Sequence, residues 1–153
     1  MISEPGIYIG IGMVLSLFLT ETLGVTAGGI IVPGYIAINL ESPDRLIITF
    51  GISILTFLII KLLSKFIMVY GKRRLVLALL IGFLLGYLSR SENMITADLG
   101  TTDFIVIGNI IPGLIANWMD RQGVVRTVST VIITAGVTKL FIMTLVVYQI
   151  IFF

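Results

Sequence analysis

The chain contains no cysteine and no histidine, and only 12% of its 153 residues are charged. The first absence excludes disulfides, thiolate metal sites and cysteine nucleophiles, and the second removes the usual general base and the commonest metal ligand. No Walker-type phosphate loop, nucleophile elbow or paired-carboxylate site occurs, so no cofactor or metal is expected on this chain. Met1 to Gly10 carries Glu4 and no Lys or Arg. A signal peptide needs a basic start, so the N-terminus is expected to be retained.

What is present is apolar. Hydrophobic residues make up 58% of the chain and the mean hydropathy is +1.15. A soluble domain carries about 45–50% apolar and about 25% charged residues, so too little polar surface exists here to coat a soluble particle. The composition predicts an all-α integral membrane protein. The net charge of +2 is too small to imply a nucleic-acid partner.

Six apolar runs follow one another: Ile7 to Leu23, Val25 to Leu40, Leu46 to Tyr70, Leu75 to Leu88, Phe104 to Met119 and Val124 to Phe153. A helix needs roughly 20 residues to span about 30 Å of hydrocarbon. The third and sixth are long enough, the first nearly so, and the fourth must borrow flanking residues or sit in a locally thin bilayer. Pro33-Gly34 and Pro112-Gly113 interrupt the second and fifth. Proline lacks an amide donor and clashes with the preceding turn, so each should be an extended stretch followed by a short helix opening at the proline.

The two interrupted runs align. Gly29-Ile-Ile-Val-Pro-Gly-Tyr-Ile-Ala37 and Gly108-Asn-Ile-Ile-Pro-Gly-Leu-Ile-Ala116 agree at six of nine positions, 79 residues apart, and Thr56 and Lys61 are echoed by Thr134 and Lys139. An internal duplication of helix, broken segment and helix is expected within a single membrane domain, 1–153, with halves 1–72 and 73–153. If each broken segment crosses the membrane, Lys65, Lys72, Arg73, Arg74, Arg121 and Arg126 lie on the cytoplasmic side and only Arg45 and Arg90 outside; if the segments turn back, the split is four against four. The positive-inside bias favours crossing, which makes a three-plus-three inverted repeat with both termini outside.

Two kinds of candidate site follow. Half-helices opening at Pro33 and Pro112 would present amides around Gly34, Tyr35 and Ile36, and around Gly113, Leu114 and Ile115, to an anion such as a carboxylate. The plain alternative is that Pro-Gly merely permits close packing or a kink. The second kind is intramembrane charge, which costs roughly 2.5–3.5 kcal/mol for an isolated Lys near the bilayer centre. Lys61 and Lys65 are close enough to the cytoplasmic end to snorkel. Lys139, 13 residues beyond Arg126, reads as too deep for that; a partner carboxylate, a polar cavity or a subunit interface would account for it, and Glu21, the only comparable acid in an apolar run, fits either a pair with Lys139 or a place at the headgroup boundary. Asn39, Asn109 and Asn117 flank the breaks and suit the capping of freed backbone groups. Lys65, Lys72, Arg73 and Arg74 form a basic rim that would dock a partner or steer a polyanion, or reflect membrane topology alone.

The stretches Gly29 to Ala37, Leu63-Ser-Lys-Phe-Ile-Met-Val-Tyr-Gly-Lys-Arg-Arg74 and Ile110-Ile-Pro-Gly-Leu-Ile-Ala-Asn117 with Gln122-Gly123, in this order in a chain of this length, resemble the PgsC/CapC family. These are the small membrane subunits of bacterial poly-γ-glutamate synthase. The resemblance covers most of the chain and is weakest over 89–103 and the two ends. It implies a multi-pass protein of the bacterial plasma membrane. Its implied partners are a PgsB/CapB-like cytoplasmic amide ligase, which would hold the ATP and magnesium, a PgsA/CapA-like membrane-anchored subunit, the poly-γ-glutamate itself and further copies of the chain. It assigns no catalytic residue to any position here. A small secondary transporter for a carboxylate, or a non-catalytic anchor for the ligase, are the other readings the same features allow.

Overall fold

A computed structural model describes residues 5–66, 71–96 and 108–152. Among these the chain forms six helices and no strand: α1 (Pro5–Leu23), α2 (Val32–Ile38), α3 (Pro43–Leu63), α4 (Lys72–Thr96), α5 (Ile111–Gln122) and α6 (Val124–Phe152). A long helix, a short helix behind a proline and another long helix therefore occur twice in succession. Pro33 and Pro112 stand in the first turns of α2 and α5, where a missing amide removes no helical bond. The residues before α2 are not helical, as expected for the first broken segment. Most of the lead-in to α5, and with it Asp98 and Asp103, lies outside the described residues.

The fourth run is longer than its hydropathy suggests. It borrows Lys72 to Arg74 at its start and Ser89 to Thr96 at its end, giving a helix of 25 residues. Lys, Arg, Glu and Met are good helix formers, and no Pro or Gly interrupts the chain between Gly86 and Thr96, so the helix continues where hydrophobicity stops. The helix thus continues beyond the end of the apolar run at Leu88 as far as Thr96. Two helices, Pro43–Leu63 and Val124–Tyr148, are long and apolar enough to cross a membrane, and Gly6–Thr22 is apolar but shorter.

The two sets of three helices interleave. α6 packs on α1 and α2, while α3 packs on α4 and α5, so the third helix of each set completes the other set. Within a set, the long helix meets the broken segment glycine to glycine. A β-carbon on Gly12 would stand 2.6 Å from the Gly34 Cα, and one on Gly82 would stand 2.7 Å from the Gly113 Cα. Small residues at such crossings let backbones approach to full van der Waals contact. The corresponding glycines of α1 and α4 are 70 positions apart, whereas those of the breaks are 79 apart, so the second set carries nine extra residues between Gly82 and Gly113.

The core is built from the broken segments. Val32, Ile36 and Ala37 of α2 meet Ile111, Ile115 and Met119 of α5, with Val131 and Ala135 of α6 against them. Outside this cluster α3 and α6 each bury three hydroxyls, Thr49, Ser53 and Thr56 in one and Thr127, Thr134 and Thr138 in the other, of which Thr49 and Thr56 correspond to Thr127 and Thr134. Each donates to a carbonyl four residues earlier, from 2.6 Å for Thr49 to Arg45 to 2.8 Å for Thr127 to Gly123. A buried hydroxyl without an acceptor would be costly; these are satisfied inside their own helices.

Candidate functional site at the basic end of the bundle

One end of the bundle is fixed by polar contacts between distant parts of the chain. Gln122, at the end of α5, holds the backbone of Thr26: its Nε2 donates to the Thr26 carbonyl at 2.6 Å, and its Oε1 accepts from the Thr26 amide and hydroxyl, each at 3.3 Å. The same Nε2 donates to Thr127 Oγ1 at 3.1 Å. One side-chain amide thereby ties the segment after α1 to the start of α6. Gly123, the single residue between α5 and α6, has φ 92, which favours a residue without a β-carbon. On the same end Arg74 of α4 forms an ion pair with Asp120 of α5, both side chains about four-fifths buried.

Around these contacts lie most of the basic residues. Lys61 closes α3, Lys65 follows in the next turn, Lys72, Arg73 and Arg74 open α4, Arg121 ends α5 and Arg126 opens α6. Lys61, Lys65, Lys72, Arg73, Arg121 and Arg126 are exposed. The guanidinium of Arg121 stands 5.4 Å from the centre of the Trp118 ring, and Lys61 Nζ stands 5.6 Å from that of Phe57. Of the four rim residues named from the sequence, Arg74 is committed to an internal partner, while Lys65, Lys72 and Arg73 face outward.

The Pro-Gly residues sit differently from a set of open anion donors. Pro33, Gly34, Pro112 and Gly113 are buried. The amides of Tyr35 and Leu114 already donate to the carbonyls of Ile31 and Ile110, at 3.4 and 3.1 Å. A β-carbon on Gly12 would lie 2.7 Å from the Gly34 nitrogen, and one on Gly82 would lie 2.5 Å from the Gly113 nitrogen, so these amides face a neighbouring backbone. The expectation of free amides from Gly34 to Ile36 and from Gly113 to Ile115 is corrected accordingly: helical bonding and the glycine crossings occupy that space. Asn39 acts as expected, its Nδ2 donating to the Tyr35 carbonyl at 3.0 Å, whereas Asn109 Oδ1 is buried without a partner.

Both breaks do reach one cavity of about 410 Å³, lined by Ile31, Tyr35, Phe83, Asn109, Ile110 and Leu114. A second, about 420 Å³, lies between α3 and α6 among Phe50, Ile54, Val128 and Ile132. Each is lined by corresponding residues of the two sets: Ile31 with Ile110 and Tyr35 with Leu114 in the first, Phe50 with Val128 and Ile54 with Ile132 in the second. Both linings are mainly apolar and fit neither a free carboxylate nor a metal.

Lys139 is not paired with Glu21. Its Nζ lies 3.0 Å from Glu41 Oε1, in the turn between α2 and α3, at the opposite end of the bundle from Gln122. The reason is direction. Glu21 is near the end of α1, which the Thr26 contact places beside the start of α6, while Lys139 is 15 residues, or about 22 Å, further along α6. Glu21 is exposed there, and Lys139 is half-buried and paired rather than an isolated charge. Gln122, Thr26, Asp120 and Glu41 were not foreseen as site residues. A signal for two of them exists in the duplication: Glu41 and Asp120 each stand eight positions after the proline of their break.

The family model described as Capsule biosynthesis CapC matches residues 11–128. The chain is 36% identical over 137 residues to the Capsule biosynthesis protein CapC of Bacillus anthracis, covering 89% of this chain and 91% of that protein. It is 33% identical over 129 residues to the PGA biosynthesis protein CapC of Bacillus subtilis (strain 168), covering 84% and 86%. No solved structure matches. With the family model spanning both breaks and both relatives aligned over most of their length, the chain belongs to the CapC family of capsule biosynthesis proteins.

Proposed function

We propose that this protein is the multi-pass membrane subunit of a poly-γ-glutamate capsule synthase. In this reading it supports polymer synthesis by a cytoplasmic ATP-dependent amide ligase and takes part in export, alongside a membrane-anchored third subunit. The observation that carries the proposal is the basic end of the bundle. Of ten basic residues, seven gather where α3 and α5 end and α4 and α6 begin, and Arg45, Arg90 and Lys139 are left for the other end. That asymmetry makes the Gln122 end cytoplasmic. It also turns a cluster of exposed cations toward the compartment where a polyanion would be made.

The same contacts support an inverted repeat whose broken segments cross. Gly34 packs on Ile9 and Gly12 in the first half of α1, although the chain leaves α1 at its far end beside Gln122, so residues 24–38 run back along α1. Gly113 packs on Ala78 and Gly82 near the start of α4, and the Arg74–Asp120 pair brings the end of α5 to that same end. Each set then crosses three times, and the second set starts from the side where the first stops, with the halves meeting near Lys72.

Neither cavity suits a polyanion, because both linings are apolar. The export route in this reading runs between copies of the chain or between the chain and a partner. Reconstitution in proteoliposomes with and without the ligase, scoring polymer made and polymer translocated separately, tests the assignment. Synthesis and translocation that both proceed without this chain would refute it.

A further inference from the structure

Lys61 is to α3 what Lys139 is to α6: each lies five residues after a fully buried threonine, Thr56 or Thr134. Glu41 and Asp120 correspond in the same way, each eight residues after Pro33 or Pro112. One such pair is made between the sets, with Lys139 Nζ 3.0 Å from Glu41 Oε1. The reciprocal bond between the sets would join Lys61 to Asp120, and α3 packs on α5 as α6 packs on α2, so the frame for it exists. The bond is not made. Asp120 is held instead by Arg74, a cation that only one set owns, since the matching position 70 residues earlier is Glu4.

Arg74 therefore displaces Lys61 from its own partner. Lys61 is left exposed with its ammonium over the Phe57 ring and no carboxylate partner among the described residues. A cation left unneutralised on a low-dielectric body keeps its attraction for an incoming anion better than one already paired. Lys65 lies four residues on, in the turn that closes α3, and is also exposed. A ligand with a carboxylate on every unit meets both cations together, which a single small acid does not.

We propose that Lys61, supported by Lys65, is the polycarboxylate-binding cation of this protein, kept available by the Arg74–Asp120 pair. The inference rests on the capsule-polymer reading and names the residue through which the basic end takes hold of the chain. Its test uses the full-length protein in nanodiscs of phosphatidylcholine, which removes anionic lipid as a competing ligand, titrated with a short γ-linked glutamate oligomer. The emission of Trp118, the chain's single tryptophan and a neighbour of Arg121, reports binding.

Lys61→Gln should weaken binding about tenfold, roughly 1.4 kcal/mol. Lys61→Arg should bind like the wild type, and Lys139→Gln, which removes the corresponding lysine at the other end, should leave affinity unchanged. Wild-type affinity in Lys61→Gln overturns the assignment while leaving the polymer reading intact. A wild-type protein that binds no oligomer overturns both. Normal oligomer binding by Lys61→Gln with lost co-purification of the ligase overturns the proposal in favour of a protein-docking role.

Discussion

The glycine crossings make a sharp test of how this bundle is held together. In Gly12→Ala the new β-carbon would stand 2.6 Å from the Gly34 Cα and 2.7 Å from its nitrogen. Carbon atoms rest at about 3.5–4.0 Å, so α1 and the broken segment must part by about 1 Å. Overpacking of a close-packed interior costs about 1–3 kcal/mol. Here the obstacle is backbone and not the end of a flexible side chain, which places the expected loss near 3 kcal/mol. For a chain of this size that lowers the midpoint of thermal unfolding by about 6–12 °C. Gly82→Ala, against Gly113, should behave alike. Gly10→Ala in the same helix is the control, because nothing lies within 4 Å of its β-carbon, and it should be neutral or gain roughly 0.5–1 kcal/mol from restricted backbone freedom. Unfolding in detergent, followed through Trp118 fluorescence, reads all three. If Gly12→Ala and Gly82→Ala melt with Gly10→Ala, the crossings do not govern stability and the packing argument fails.

Gln122→Ala should cost about 1–3 kcal/mol, since it strips partners from the Thr26 amide and carbonyl, and should open the segment before α2 to protease; unchanged protease resistance would remove its clamping role. Topology is directly measurable because the natural chain has no cysteine. Asp44→Cys should react with an impermeant maleimide added outside intact cells, and Val125→Cys, 80% exposed at the start of α6, only after permeabilisation. Outside labelling of Val125→Cys would contradict the crossing arrangement.

The breaks were legible because proline and glycine act locally: a missing amide opens a helix at Pro33 or Pro112 whatever surrounds it. Hydropathy found the apolar centres of the long helices but not their ends. α4 runs on through Lys72 to Arg74 and Ser89 to Thr96 because helix propensity, not hydrophobicity, decides there. The ion pairs were not legible in the same way. Lys139 finds Glu41 and Arg74 finds Asp120 through helix directions set by packing, and Glu21 was the wrong acid for a reason visible only once α1 and α6 lie side by side. In the sequence Gln122 stands out only as part of a resemblance; its hold on a backbone 96 residues away depends on where the segment after α1 passes. The duplication was traced at 79 positions through the breaks, while the matching crossing in α1 and α4, at 70, stayed hidden behind the inserted residues.

The interleaving of the two sets bears on how the protein is made. α1 and α2 find their third packing partner in α6, which is made only after α3, α4 and α5. During synthesis the first three helices must therefore wait with the faces meant for α4, α5 and α6 uncovered, and the contacts between the sets are complete only once α6 has been made. Long-range closure of this kind is slow and exposes unfinished surfaces meanwhile. A product truncated after α3 would hold no complete set, so quality control acting on partly made chains has a clear target, and two half-length chains supplied together could assemble only by exchanging their third helices.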